Sequence, residues 1–148
     1  MEDFQKALNY SFLLLKYRAR SKKEIIDRLR RRKYPLAVIE KTLEFLEDQN
    51  YVNDEKFAVS FIRERLRKGF GKRKIIFDLK RLGLSKELIE EELGKIDNNQ
   101  YRDTIRGLMQ KRLRRYRGNQ DAKNKIFCYL VQRGFAPDDI KEVIDEIR

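Results

Sequence analysis

The sequence predicts an all-α fold, an elongated array of three tandem three-helix repeats with about nine helices, and three observations predict it. Apolar residues recur every three or four positions, as in Ile39, Leu43, Leu46 and in Phe57, Ala58, Phe61, Ile62, while alternating strand patterns are absent. The apolar frame Ile25-Ile26, Leu29, Ile39, Leu43, Leu46 returns fifty positions later as Ile75-Ile76, Leu79, Ile89, Leu93, Ile96. It returns again, shifted by fifty-one, as Ile126-Phe127, Leu130, Ile140, Ile144, Ile147. The turn pairs Lys33-Tyr34, Gly83-Leu84 and Gly134-Phe135 keep the same register. The units are residues 1–54, 55–100 and 101–148.

Local signals place the helices inside each unit. In the first, Ser21 followed three residues later by Glu24 forms a capping box at the start of the second helix. Asp54 is expected to cap the helix carrying Phe57, and Ser85 the helix carrying Ile89. Pro35 and Pro137 stand at third-helix starts, where a missing N–H costs nothing. Gly83 and Gly134 supply the positive φ that ends a second helix, a task that falls to Lys33 in the first unit at some steric cost. Gly69 and Gly71 form the turn between the first two helices of the middle unit. A unit of about fifty residues buries only a marginal core, so three must stack, with neighbours coupled one to the next and overall burial below that of a compact domain.

Composition narrows the function. Of 148 residues, 36 are Lys or Arg and 24 are Asp or Glu, a formal charge of +12, which favours a polyanionic partner or an acidic protein surface. The absence of His and the single Cys remove the commonest general base, the usual zinc ligands and any disulfide framework. The run Phe12 to Leu15 is too short to span a bilayer and the acidic start is unlike a signal peptide, so the chain is expected to be soluble, reduced and cytoplasmic. Gly69-Phe70-Gly71-Lys72 fails as a phosphate loop, because Leu66 and Arg73 stand where Gly and Ser or Thr are needed. The acidic clusters lack the Gly-turned loop of a calcium site, and Cys128 is expected to be a small core residue. No cofactor or metal is expected, and no enzymatic activity.

The charge is patterned within each unit. Lys16 to Lys33 holds ten basic and two acidic residues, Arg63 to Arg81 nine and two, and Arg106 to Arg117 six and none. The third helices invert the sign, with Glu40, Glu44, Glu47 and Asp48 in the first and Glu87, Glu90, Glu91 and Glu92 in the next. Ordinary solvation of amphipathic faces is one explanation. A continuous basic ridge is the other, favoured because like charges this dense repel unless a partner neutralises them and because arginine suits bidentate phosphate or carboxylate contacts. The candidate partner-binding residues are Arg18, Arg20, Lys22, Lys23, Arg28, Arg31, Arg32 and Lys33 in the first unit. Arg63, Arg67, Lys68, Lys72, Arg73, Lys74 and Arg81 follow in the second, and Lys111, Arg112, Arg114, Arg115 and Arg117 in the third. Base stacking is assigned to tyrosines alone, with Tyr17 and Tyr116 the best placed beside arginines and Tyr34 a core anchor.

Two segments carry a resemblance. Arg18-Ala19-Arg20-Ser21-Lys22-Lys23-Glu24-Ile25 resembles the Arg-x-Arg-Ser-x-x-Glu-Leu entry to the second helix in the RecX family, regulators of the bacterial RecA recombinase. Tyr51-Val52-Asn53-Asp54-Glu55-Lys56-Phe57-Ala58, followed by Arg63, Gly69, Gly71, Ile75, Leu79 and Gly83, is similar to that family's central signature, with Asn50 where Gly is usual. Asn also accepts left-handed geometry. The third unit, through Arg133-Gly134-Phe135, fits more loosely. The resemblance implies a non-enzymatic modulator, mainly an inhibitor, that lodges along the RecA nucleoprotein filament and alters its ATP hydrolysis, strand exchange and coprotease action in DNA repair, recombination and the SOS response. It also implies single- or double-stranded DNA as a further partner. A sequence-nonspecific DNA-binding protein acting without RecA is the alternative, since no base-reading cluster is evident. No membrane partner is expected, and self-repulsion favours a monomer.

Overall fold

A computed structural model describes residues 2–146, and among these every regular element is helical. The helices are α1 (Glu2–Tyr17), α2 (Lys22–Arg31), α3 (Leu36–Asp48), α4 (Asp54–Arg67), α5 (Lys72–Arg81), α6 (Lys86–Gly94), α7 (Asn98–Arg115), α8 (Ala122–Gln132) and α9 (Pro137–Ile144). Helix packing is concentrated inside three consecutive triplets, α1–α3, α4–α6 and α7–α9. Each triplet encloses its own apolar cluster: Ile25, Leu29, Ile39, Leu43 and Leu46 in the first, Ile75, Leu79, Ile89 and Leu93 in the second, Ile126, Leu130, Phe135 and Ile140 in the third. The repeat frame is thus the core frame. Ile147 lies outside the described residues.

The exposed surface is 10,094 Å², against about 8,000 Å² for a compact protein of this mass. The excess is what three small cores joined in a row produce.

The caps follow local chemistry, with two departures from the sequence reading. Ser21 and Glu24 form the reciprocal capping box, and Ser85 Oγ accepts from the Leu88 amide. The cap of α4 is Asn53, however, whose side chain accepts from the Lys56 amide, and Asp54 already lies in the first turn. Its carboxylate faces another helix and accepts the Lys22 amide at 2.9 Å. Cys128 is exposed rather than buried. On α8 the core is touched by Ile126 and Leu130, and Cys128 sits two residues from each, which on a helix points it away from both.

The turns after the second helices show what a repeat demands. Lys33, Gly83 and Gly134 all have positive φ, at 62°, 88° and 100°, and Asn50 adopts 62°. A Cβ on Gly83 would stand 2.5 Å from Lys23 Cβ, and one on Gly134 would stand 2.6 Å from the Lys74 amide nitrogen. Both turns are pressed against the preceding repeat, so it is close approach, added to the left-handed geometry, that requires glycine. The turn at Lys33 is exposed, and a side chain fits there.

Candidate functional site

The junctions between repeats build a common surface. The C-terminal end of α8 meets the N-terminus of α5: the Gly71 amide donates to Arg133 O at 2.8 Å and the Arg73 amide to Gly134 O at 2.9 Å. A further donor there, the Lys72 amide, is taken by the buried Tyr101 hydroxyl at 2.9 Å. Burial pushes that hydroxyl up to about 12 despite its bond to Lys72. The C-terminal end of α5 meets the N-terminus of α2 in the same sense, with Ser21 Oγ donating to Leu82 O at 2.7 Å and Lys23 packed on Gly83. Carbonyls at one helix end thus satisfy or approach the orphan donors of the next, and opposite ends of the helix dipoles meet.

The consequence is that α8, α5 and α2 follow one another end to end, each of the last two being roughly 15 Å long. Along this row stand Lys72, Arg73, Lys74 and Arg81 of α5, then Lys22, Lys23, Arg28 and Arg31 of α2, and Arg32 and Lys33 beyond it. These predicted residues lie on or just past two helices whose ends meet. Arg63, Arg67 and Lys68 stand instead on or just past α4, and Lys111, Arg112, Arg114, Arg115 and Arg117 on or just past α7. The third repeat therefore carries its basic cluster on its first helix and not in the row.

Several of these charges have internal work. Arg20 is only 10% exposed, pairs with Glu24 at 3.6 Å and donates to Leu14 O at 3.5 Å. Arg18 binds the same carboxylate through both terminal nitrogens. Burial of Glu24 opposes its ionised form, but the Arg18 and Ser21 hydrogen bonds prevail and hold it below its usual value. Arg67 and Lys68 pair with Glu64, Lys22 with Glu47, and Lys74 with the buried Asp78. Arg112 lies over the Tyr129 ring at 3.7 Å, an interaction with the phenol that raises its affinity for the proton. The rest of the row is without acidic partners: among the described residues Lys23, Arg28, Arg31, Arg32, Lys33, Lys72, Arg73 and Arg81 make no ion pair within 4.0 Å.

Three residues lie outside the candidate set read from the sequence. Arg133 is a bolt between repeats: its Nε donates to Gly69 O at 3.1 Å, a terminal nitrogen reaches Lys68 O, and the guanidinium covers the Phe70 ring at 3.9 Å. Arg65 lies over the Phe61 ring at 4.7 Å in a cleft of about 450 Å³ between the first two repeats, lined also by Arg18, Phe57, Asp78 and Arg81. Phe77 is 59% exposed on α5, so tyrosines are not the only aromatic rings at the surface. Tyr17 is 79% exposed as expected, whereas Tyr116 is half-buried with Lys125 over its ring at 5.5 Å. Comparing the equivalent positions Asp27, Phe77 and Cys128 would have exposed the anomaly. Among the described residues no group of three or more Cys, Asp or Glu is placed to hold a metal ion, and no helix is long and apolar enough to cross a membrane.

Fold and surface together define a class: a tandem three-helix-repeat protein with a row of cations on its surface. Comparison with known proteins gives the family. Residues 7–46, 53–93 and 100–144 match the first, second and third three-helix domains of RecX. A regulatory protein RecX of Chlorobium phaeobacteroides is 35% identical over 98% of this chain and 95% of its own length. One of Clostridium botulinum (strain Eklund 17B / Type B) is 33% identical over 86% of this chain, which spans 61% of that relative. The crystal structure of RecX from Lactobacillus salivarius superposes with a TM-score of 0.87 at 26% identity, covering 99% of this chain and 97% of that one. The chain belongs to the RecX family, a family of regulatory proteins rather than enzymes.

Proposed function

We propose that this chain regulates the RecA recombinase, mainly as an inhibitor, by lodging along the RecA–DNA filament and modulating its ATP hydrolysis, strand exchange and coprotease activity. The observation that carries this reading is the end-to-end placement of α5 and α2, which sets Lys72, Arg73, Arg81, Lys23, Arg28, Arg31 and Arg32 in series. A filament groove offers acidic side chains and phosphates at repeating intervals, and a row of arginines and lysines on a rigid repeat scaffold is complementary to it. The net charge of +12 also favours a monomer, by self-repulsion, and the reading places its action in the bacterial cytoplasm.

The test is RecA ATP hydrolysis on single-stranded DNA, titrated with this protein and with the variant Arg31→Glu, Arg32→Glu, Lys72→Glu, Arg73→Glu. The wild-type chain inhibits at amounts well below one per RecA, and the variant loses inhibition by at least about tenfold while keeping its helical spectrum. Undiminished inhibition by the folded variant refutes the reading.

A further inference from the structure

A single exposed apolar side chain is ordinary on a soluble surface. Phe77 differs from that in three respects. Its ring is 59% exposed in the middle helix of the cationic row. The four positions that flank it on a helical surface, three and four residues to either side, are Arg73, Lys74, Lys80 and Arg81, all cationic. Lys74 Nζ and Arg81 Cζ already lie 5.5 and 6.0 Å from the ring centroid. The repeat does not need an aromatic here: the equivalent positions are Asp27 and Cys128, while the core of the middle repeat is made by Ile75 and Leu79 from the same helix. The phenyl ring therefore has no counterpart in the packing plan of the fold.

An apolar ring surrounded by cations fits a ligand that presents flat π faces strung on a chain of negative charges. An acidic protein surface supplies the charge without the repeating planes, and a duplex hides its bases in the stack. We propose that Phe77 is a stacking platform for an unpaired base of a single-stranded nucleic acid, with the phosphates on either side of that base held by Arg73, Lys80 and Arg81. Any base has a π face, so recognition at this platform is independent of sequence. The proposal shares with the functional reading the assignment of α5, with Arg73 and Arg81, to the partner-facing side.

Direct binding of the purified chain to fluorescent oligothymidylate, measured without RecA across a salt series, tests it. Phe77→Ala is expected to weaken binding about tenfold. The slope of log affinity against log salt stays unchanged, because that slope counts phosphate contacts and the ring contributes none. An abasic strand of equal length and charge should bind wild type and Phe77→Ala alike. Phe77→Trp retains affinity, and since the chain has no tryptophan its emission reports the platform directly, falling when the strand is added. The proposal is overturned if Phe77→Ala binds oligothymidylate as wild type does, if it loses equally on the abasic strand, or if the wild-type chain binds no strand at low salt. Impaired RecA inhibition by Phe77→Ala with strand binding intact would also overturn it, assigning the ring to a protein contact while leaving the functional reading standing.

Discussion

Glu24 shows how much of the basic surface rests on single acidic residues. Its carboxylate closes the capping box with Ser21 and holds both Arg18 and Arg20, so three nearby groups depend on its charge. Because its folded-state affinity for the proton is held below the ordinary 4.5, its contribution is fully present above that pH and disappears as the pH falls through the lower folded value. Glu24→Gln is therefore expected to destabilise the chain by about 1–2 kcal/mol near neutrality and to flatten the acid limb of a stability–pH curve, as measured by urea unfolding. An unchanged acid limb would mean that the arginines, not Glu24, hold this corner. Tyr101 works at the other junction. Tyr101→Phe strips the Lys72 amide of its only partner in α7 and should cost about 1 kcal/mol, in the same assay.

At the level of the element, the second helices and their turns set the frame. Alanine at Gly134 meets both a positive φ and the body of Lys74, so Gly134→Ala should cost at least about 2 kcal/mol. At Lys33 only the dihedral is unfavourable, and Lys33→Gly should be neutral or stabilising by up to about 1 kcal/mol. Chemical denaturation of the two variants distinguishes them, and equal costs would refute the account of the turns. These elements are legible in the sequence because helices are written in local spacing: the apolar frame, the capping box at Ser21 and the glycine turns all appear within a few residues. What crosses between repeats is not. Asp54 reads locally as a cap for its own helix, and only the approach of its carboxylate to the start of α2 shows that it serves the Lys22 amide. Cys128 reads as apolar by its neighbour Phe127, and only the direction of Ile126 and Leu130 turns it outward. The recurrence of charge is visible in the sequence, but which basic helices adjoin across repeats depends on helix ends meeting, which no spacing within one repeat encodes.

For the molecule as a whole, the two junctions differ in kind. Between the second and third repeats Leu66 and Ile96 pack against both apolar clusters, and Arg133 adds two backbone bonds and a ring contact. Between the first and second repeats the two clusters share no residue, and the junction is held by Ser21 on Leu82, Asp54 on Lys22 and the Lys23 stem on Gly83. Bending that exposes apolar surface costs free energy in proportion to the area opened, whereas a few polar contacts exchange readily with water, so bending is expected at the first junction. On the proposed reading, one rigid pair of repeats with one adjustable unit would suit a chain that follows a filament groove. The exposed Cys128 and an introduced cysteine at Lys86 or at Lys6 allow spin-label distances to be measured across each junction. The distance from the third to the second repeat should be narrowly distributed and that from the third to the first broad. Ser21→Ala with Asp54→Ala should broaden only the latter, while Arg133→Ala should broaden both, because it loosens the joint through which each path runs. Equal widths in the wild-type chain would show that the array moves as one body, and that the polar junction holds as firmly as the apolar one.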